Sequence, residues 1–267
     1  MIKKIILTFV VLLISVFHAF AENENTGTYL SPISIHEPNY FLFGGPEDQV
    51  KFKISVQYNM IYNSKLWYVA YSQESWWKLY EYSSPFYENN YNPETFLLFK
   101  NNDNCFDANM GFIDFVRIGL YEHKSNGRDG KDSRGQDKYY IEAQVSYGDV
   151  YNFGARLKLF GYYHIAEENK DLAHYQGYYE TEFFMQLRSK SVKYLDKEKV
   201  YVKFGSSLSK GWIEYGARIR LVTSRIQPYL YIQGYYGYNE NMINYNKKEN
   251  AIRIGLGFEW LPNAEIS

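Results

Sequence analysis

The chain has 267 residues, with 29 Lys and Arg against 30 Asp and Glu, for a formal net charge of −1. These charges are well mixed, which excludes a nucleic-acid-binding face and a polybasic anchor, and Cys105 is the only cysteine, which excludes an internal disulfide and a multi-cysteine metal site. The 29 Tyr, 18 Phe and 5 Trp, 19% of the residues, suit strands that carry belts of amphipathic rings at two membrane interfaces.

Residues 1–21 combine basic Lys3 and Lys4, an apolar run from Ile5 to Phe17 and the small-residue pattern Ala19-Phe20-Ala21. This reads as a cleaved secretory signal, because the apolar run is too short for a bilayer that needs about 20 residues. A periplasmic segment is expected over 22–38. No later segment approaches the length of a membrane helix.

From there the chain alternates. Lys51 to Met60 switches between polar and apolar at every step, and a period of two is a strand with one face of each kind. Tyr139, Ile141, Ala143 and Val145 alternate with Tyr140, Glu142 and Gln144. Ile213, Tyr215, Ala217 and Ile219 stand opposite Glu214, Arg218 and Arg220, and Ile252, Ile254, Leu256 and Phe258 opposite Arg253, Gly255, Gly257 and Glu259.

Such alternation also fits an exported soluble β-sandwich, whose aromatics would bind carbohydrate. Long strands carrying Arg, Lys or Glu in their middles, among small residues on the polar face, point instead to a polar barrel interior with lipid outside. The expected fold is all-β: a 12-stranded antiparallel transmembrane β-barrel over 39–260, followed by a tail at 261–267. Strands are expected near 39–44, 51–61, 66–77, 95–100, 112–125, 137–147, 152–163, 176–187, 198–206, 211–223, 226–238 and 250–260. An even count agrees with single-chain bacterial barrels, and it delivers the end of the fifth strand to the outer surface.

That fifth strand ends in His123-Lys124-Ser125-Asn126-Gly127-Arg128. In extended backbone His123 and Ser125 share a face, with Cα atoms about 6.5–7 Å apart, and Asp137 at the start of the next strand can return opposite His123. A nucleophile, a base and an orienting carboxylate are the three roles of acyl-transfer chemistry. The residue types alone equally describe solvated polar groups at a strand end. Asp137 has the parity of the lipid-facing set. Val116, Ile118 and Leu120 have the opposite parity to Tyr121, His123 and Ser125, so a β-bulge is expected near Gly119 to Tyr121.

Gln73-Glu74-Ser75-Trp76-Trp77, Ser83-Ser84-Pro85-Phe86, Asn90-Tyr91-Asn92-Pro93, the block His123 to Arg128 with Ser133-Arg134, and Tyr235 to Glu240 occur in one order over most of the chain. In these stretches the sequence resembles the outer-membrane phospholipase A family of calcium-dependent barrel lipases. The resemblance implies Ser125 as nucleophile, His123 as base and then acid, and Asp137 at a third position that is normally Asn. It implies Ca2+ held by the carbonyl of Arg128 and the hydroxyl of Ser133, with the carbonyl of Ser83 supplied by a second subunit. It implies hydrolysis of membrane phospholipids and lysophospholipids by a homodimer in the bacterial outer membrane, with Gln73 in the interface. A barrel that keeps this scaffold without catalysis, as a small pore or structural protein, is the alternative.

Overall fold

The computed structural model describes residues 32–46, 50–61, 66–100, 112–148, 151–187, 198–207, 210–221 and 226–260, all of one compact unit that begins at Pro32. The expected signal segment, the 261–267 tail and Cys105 lie outside the described residues. Twelve strands follow one another in chain order: β1 (Asn39–Gly44), β2 (Val50–Asn59), β3 (Trp67–Trp77), β4 (Phe86–Lys100), β5 (Ile113–Ser125), β6 (Gly135–Tyr147), β7 (Tyr151–Ile165), β8 (Tyr179–Leu187), β9 (Glu198–Ser207), β10 (Lys210–Arg220), β11 (Ile226–Gly237) and β12 (Glu249–Trp260). Each pairs antiparallel with the next, and β12 returns to β1 from Arg253 opposite Gly44 to Phe258 opposite Asn39. Closure leaves no unpaired edge, the condition for a sheet to cross a bilayer.

Alternation sorts the side chains as the sequence reading expects. Ile54, Val56, Tyr139, Ile141, Leu157, Leu159, Ile213, Ile252 and Ile254 are exposed on the outer face. Charged residues fill the lumen, where Glu122 pairs with Lys138 at 2.9 Å and Lys158 at 2.8 Å, and Arg117 pairs with Glu142 at 2.8 Å. Pairing of this kind is what makes buried charge tolerable.

Both mouths of the lumen receive chain. Ile33–Ser34 pairs with β2, after which His36 enters the lumen, with Nε2 2.6 Å from Glu94 and its ring stacked on Phe96. At the opposite mouth the segment 238–248 folds inward: the backbone N–H of Met242 donates to Asn90 and that of Ile243 to Glu88. It carries Glu240 into full burial between Lys51 (2.9 Å) and Arg253 (3.0 Å).

One strand is longer than its pattern suggests. β4 begins at Phe86, whereas the apolar alternation begins only at residue 95. Its first half carries Glu88, Asn90 and Glu94 inward, where Arg128 lies 3.4 Å from Glu88, Asn90 donates to Glu88 and Tyr140 donates to Glu94, so polarity there marks the lumen and not a loop. Pro93, which has no N–H to give, faces out, and the β4–β5 ladder is open between Tyr91 and Glu94, opposite His123 and Lys124. Residues 176–178, expected in a strand, instead end and follow a short helix, α1 (Leu172–Gln176), in the β7–β8 connection.

Candidate active site

The site is built on a face switch in β5. Gly119 pairs with Tyr140 and Glu122 with Lys138, so two residues of β5 oppose one of β6. Against β4 the break falls between Gly119, opposite Phe96, and Tyr121, opposite Thr95, which makes Leu120 the extra residue. Leu120 and Tyr121 therefore both point outward, and His123 and Ser125 keep the outward parity of Tyr121. This is the expected bulge, and it aims a histidine and a serine at the membrane side of the wall. Gly119 is required at the turn-in point: a Cβ there would sit 2.1 Å from the Tyr140 ring.

Asp137 pairs directly with His123 across the β5–β6 ladder. Its Oδ1 lies 2.7 Å from His123 Nδ1. With Nδ1 engaged by the carboxylate, the ring is oriented and Nε2 is left to face a hydroxyl or a leaving group. Ser125 follows on the same face, partly buried, opposite Tyr91 on one side and Gly135 on the other. The side chains of His123 and Asp137 are 36% and 21% exposed, so the pair stands at the surface of the wall. Among the described residues no hydrogen bond joins the Ser125 hydroxyl to the imidazole, which is common before substrate draws the groups together.

Beyond Ser125 the loop 126–134 closes around one amide. Asn126 Oδ1 accepts from the backbone N–H of Arg134 at 2.9 Å and of Arg128 at 3.3 Å, while its Nδ2 donates to the carbonyl of Asp132 at 2.8 Å. The Arg128 side chain turns away to β4, donating to the carbonyl of Tyr87 and lying 3.4 Å from Glu88 Oε2. No protein hydrogen bond among the described residues uses the carbonyl of Arg128 or the hydroxyl of Ser133. Two uncommitted oxygens on a braced loop suit a hard cation. No cluster of three His, Cys, Asp or Glu occurs among the described residues, so few protein oxygens and several waters would complete such a site. Ser83 lies elsewhere, in the exposed β3–β4 turn. Ser83 and Ser84 there adopt φ of 63° and 44°, a costly left-handed pair pinned by Trp77 Nε1 donating to the carbonyl of Ser84 at 2.8 Å. Among the described residues no hydrogen bond or ion pair joins Ser83 to Arg128 or Ser133.

A family model described as phospholipase A1 matches residues 20–259. The chain belongs to the phospholipase A1 family. It is 30% identical to phospholipase A1 of Escherichia coli over 220 residues, covering 79% of this chain and 69% of that one, and 28% identical to phospholipase A1 of Proteus vulgaris over 217 residues, with the same coverage. The solved outer-membrane phospholipase dimer of Salmonella typhi with bound calcium superposes with a TM-score of 0.71 at 24% identity, over 91% of this chain and 96% of that one. The outer-membrane phospholipase A of E. coli gives 0.70 over 86% and 99%. The protein is thus a phospholipase whose 12-stranded barrel resides in the bacterial outer membrane.

In this phospholipase the structure brings together His123, Asp137 and, on the same face, Ser125, and it places Arg128 and Ser133 on the adjoining loop. Two residues beside them escape sequence reasoning. The Tyr121 hydroxyl donates to Asp137 Oδ1 at 2.7 Å, and His164 Nδ1 lies 3.7 Å from Asp137 Oδ2. Tyr121 shares a parity with His123, a legible signal. His164 carries none, because it reaches Asp137 only through a second bulge: Asp137 opposes His164 and Lys138 opposes Tyr162, leaving Tyr163 as the extra residue.

Proposed function

We propose that this phospholipase hydrolyses the sn-1 and sn-2 acyl esters of glycerophospholipids and lysophospholipids through Ser125, His123 and Asp137, and that it depends on calcium. The single observation that carries the reading is the His123–Asp137 hydrogen bond on the membrane-facing side of the wall, with Ser125 on the same face. His123 Nε2 takes the Ser125 proton as the hydroxyl attacks the ester carbonyl. The resulting imidazolium is stabilised by Asp137 and then protonates the departing lysolipid oxygen. Water, deprotonated in turn by His123, releases the fatty acid from Ser125.

The backbone N–H of Ser125 donates to the oxyanion. The Arg128 carbonyl and the Ser133 hydroxyl would hold calcium, which would supply further positive charge to the site. The uncommitted state of both oxygens on a loop braced by Asn126 supports this assignment. The partner is a second copy of the chain, contributing the carbonyl of Ser83, which stands in an exposed turn. Gln73 supports the same partnership. It lies on the outer face, where its Oε1 accepts from Tyr71 at 3.1 Å and its Nε2 donates to Ser75 at 3.2 Å, a polar ladder amid apolar Val56 and Ile54. A two-fold pairing of such amides is a favourable contact between barrels in lipid.

The test is fatty-acid release from phospholipid–detergent mixed micelles over a calcium titration. Wild type releases fatty acid only with calcium, and Ser125→Ala and His123→Ala release none while retaining the wild-type unfolding midpoint. Release by Ser125→Ala at the wild-type rate would refute the assignment.

A further inference from the structure

A carboxylate at the third position carries a charge that an amide would not, on a surface turned toward lipid, where an unpartnered charge is costly. The structure surrounds that charge. Tyr121 and His123 converge on Oδ1 from β5, each at 2.7 Å, and His164 faces Oδ2 from β7 at 3.7 Å. With Tyr139 along its own strand and Tyr163 beside it on β7, these are the titratable groups around Asp137.

Both outer partners arrive by irregularities in the sheet. The extra residue Leu120 turns Tyr121 outward onto the face of Asp137, and the extra residue Tyr163 turns His164 outward on the other side. In an unbroken ladder, strict alternation would direct one of Tyr121 and Leu120, and one of Tyr163 and His164, into the lumen. Two bulges on the two strands flanking one carboxylate, one bringing it a hydrogen-bond donor and the other an imidazole 3.7 Å away, are features built for that position. An asparagine would keep an oxygen for Tyr121 and His123 but would present an uncharged amide nitrogen toward His164 in place of the second anionic oxygen.

We propose that Tyr121, through its hydrogen bond to Oδ1, and His164, facing Oδ2, are positioning residues that hold the Asp137 carboxylate and fix its rotamer against His123. The proposal rests on Asp137 being the third member of the site. Removing either one leaves more of the carboxylate's charge to the protonated ring of His123, and the acid limb of the pH–rate profile moves upward.

The experiment compares full-length wild type, Tyr121→Phe, His164→Ala, Asp137→Asn and the Tyr121→Phe/Asp137→Asn double variant in calcium-saturated mixed micelles. It reads kcat, KM, the pH profile and the unfolding midpoint. Tyr121→Phe is expected to lose about tenfold in kcat with KM within about twofold, and to move the acid limb of the profile upward. His164→Ala is expected to move that limb the same way. Its ring is 66% exposed, so its unfolding midpoint stays at the wild-type value, and it carries the test if Tyr121→Phe fails to fold. In the Asp137→Asn background, Tyr121→Phe is expected to change kcat less than about twofold and to leave the limb in place, because the charge it disperses is gone. A wild-type kcat and pH profile in the single variants, or the same Tyr121→Phe penalty in both backgrounds, overturns the proposal. An inactive wild type, or an active Ser125→Ala, overturns the catalytic reading beneath it, so the two failures are distinguishable.

Discussion

The Tyr163 hydroxyl donates to the carbonyl of Leu120 at 3.2 Å, joining the extra residue of one bulge to the extra residue of the other across the strand between them. A bulged residue loses its ladder partner, and on a lipid-facing wall no water replaces it. Tyr163 supplies the missing donor. Its ring also stacks on Tyr121 at 6.4 Å between centroids and leans on Tyr139 at 4.9 Å. The two irregularities thus brace each other beside the candidate site.

Tyr163→Phe keeps the ring and removes only the donor. The expected loss is about 1–2 kcal/mol of stability, the cost of leaving one lipid-facing acceptor unsatisfied, together with a lower kcat as the β5 bulge loosens. Denaturant unfolding of the detergent-solubilised protein reads the first effect, and the micelle assay reads the second. An unchanged midpoint would mean that the Leu120 carbonyl has another donor.

Gly119→Ala and Gly130→Ala add the same methyl with different consequences. At Gly119 the new Cβ would meet Tyr140 Cε1 at 2.1 Å and displace a ring whose hydroxyl donates to Glu94 in the lumen. About 2–4 kcal/mol of destabilisation is expected from overpacking and the broken contact. At Gly130 nothing lies within 4 Å, but φ is +60°, so only the backbone cost of about 1–2 kcal/mol applies. Equal unfolding midpoints for the two variants would contradict this division.

Ser133→Ala removes one candidate calcium oxygen while leaving the Asn126 clasp intact, since Asn126 bonds the backbone of Asp132, Arg128 and Arg134 and not the Ser133 side chain. The calcium concentration for half-maximal activity is expected to rise about tenfold, equivalent to about 1.4 kcal/mol, with kcat at saturating calcium within about twofold of wild type. Chelation is expected to abolish activity in both proteins. A calcium curve superimposable on the wild-type one would remove Ser133 from the ligand set.

Much of the barrel is legible in the chain because alternation is local. Each strand states its faces within a few residues, as Tyr139 to Val145 do against Tyr140 to Gln144, and the run near Lys51 to Met60 lies within one residue or so of β2. Even the β5 bulge is legible, since Ile118 and Tyr121 belong to the same outer face at incompatible spacing. Where local pattern is silent, reading fails. The first half of β4 looks like loop because its inward residues are polar, and their polarity makes sense only once the lumen and the 238–248 segment are in place around Glu88 and Asn90.

The order of strands, their faces and the outward aim of His123 and Ser125 therefore follow from residue spacing, because the pleat imposes a period of two on any strand whatever surrounds it. Which residues meet across strands does not. Beyond the His123–Asp137 pairing that the hairpin spacing itself offers, that Tyr163 is extra and so brings His164 to the same carboxylate, and that His36 reaches Glu94, are matters of register and of chain returning from a distance. Register is chosen by the whole closed ladder, since moving one strand by a residue would turn its apolar face inward. It exists only when all twelve strands are paired.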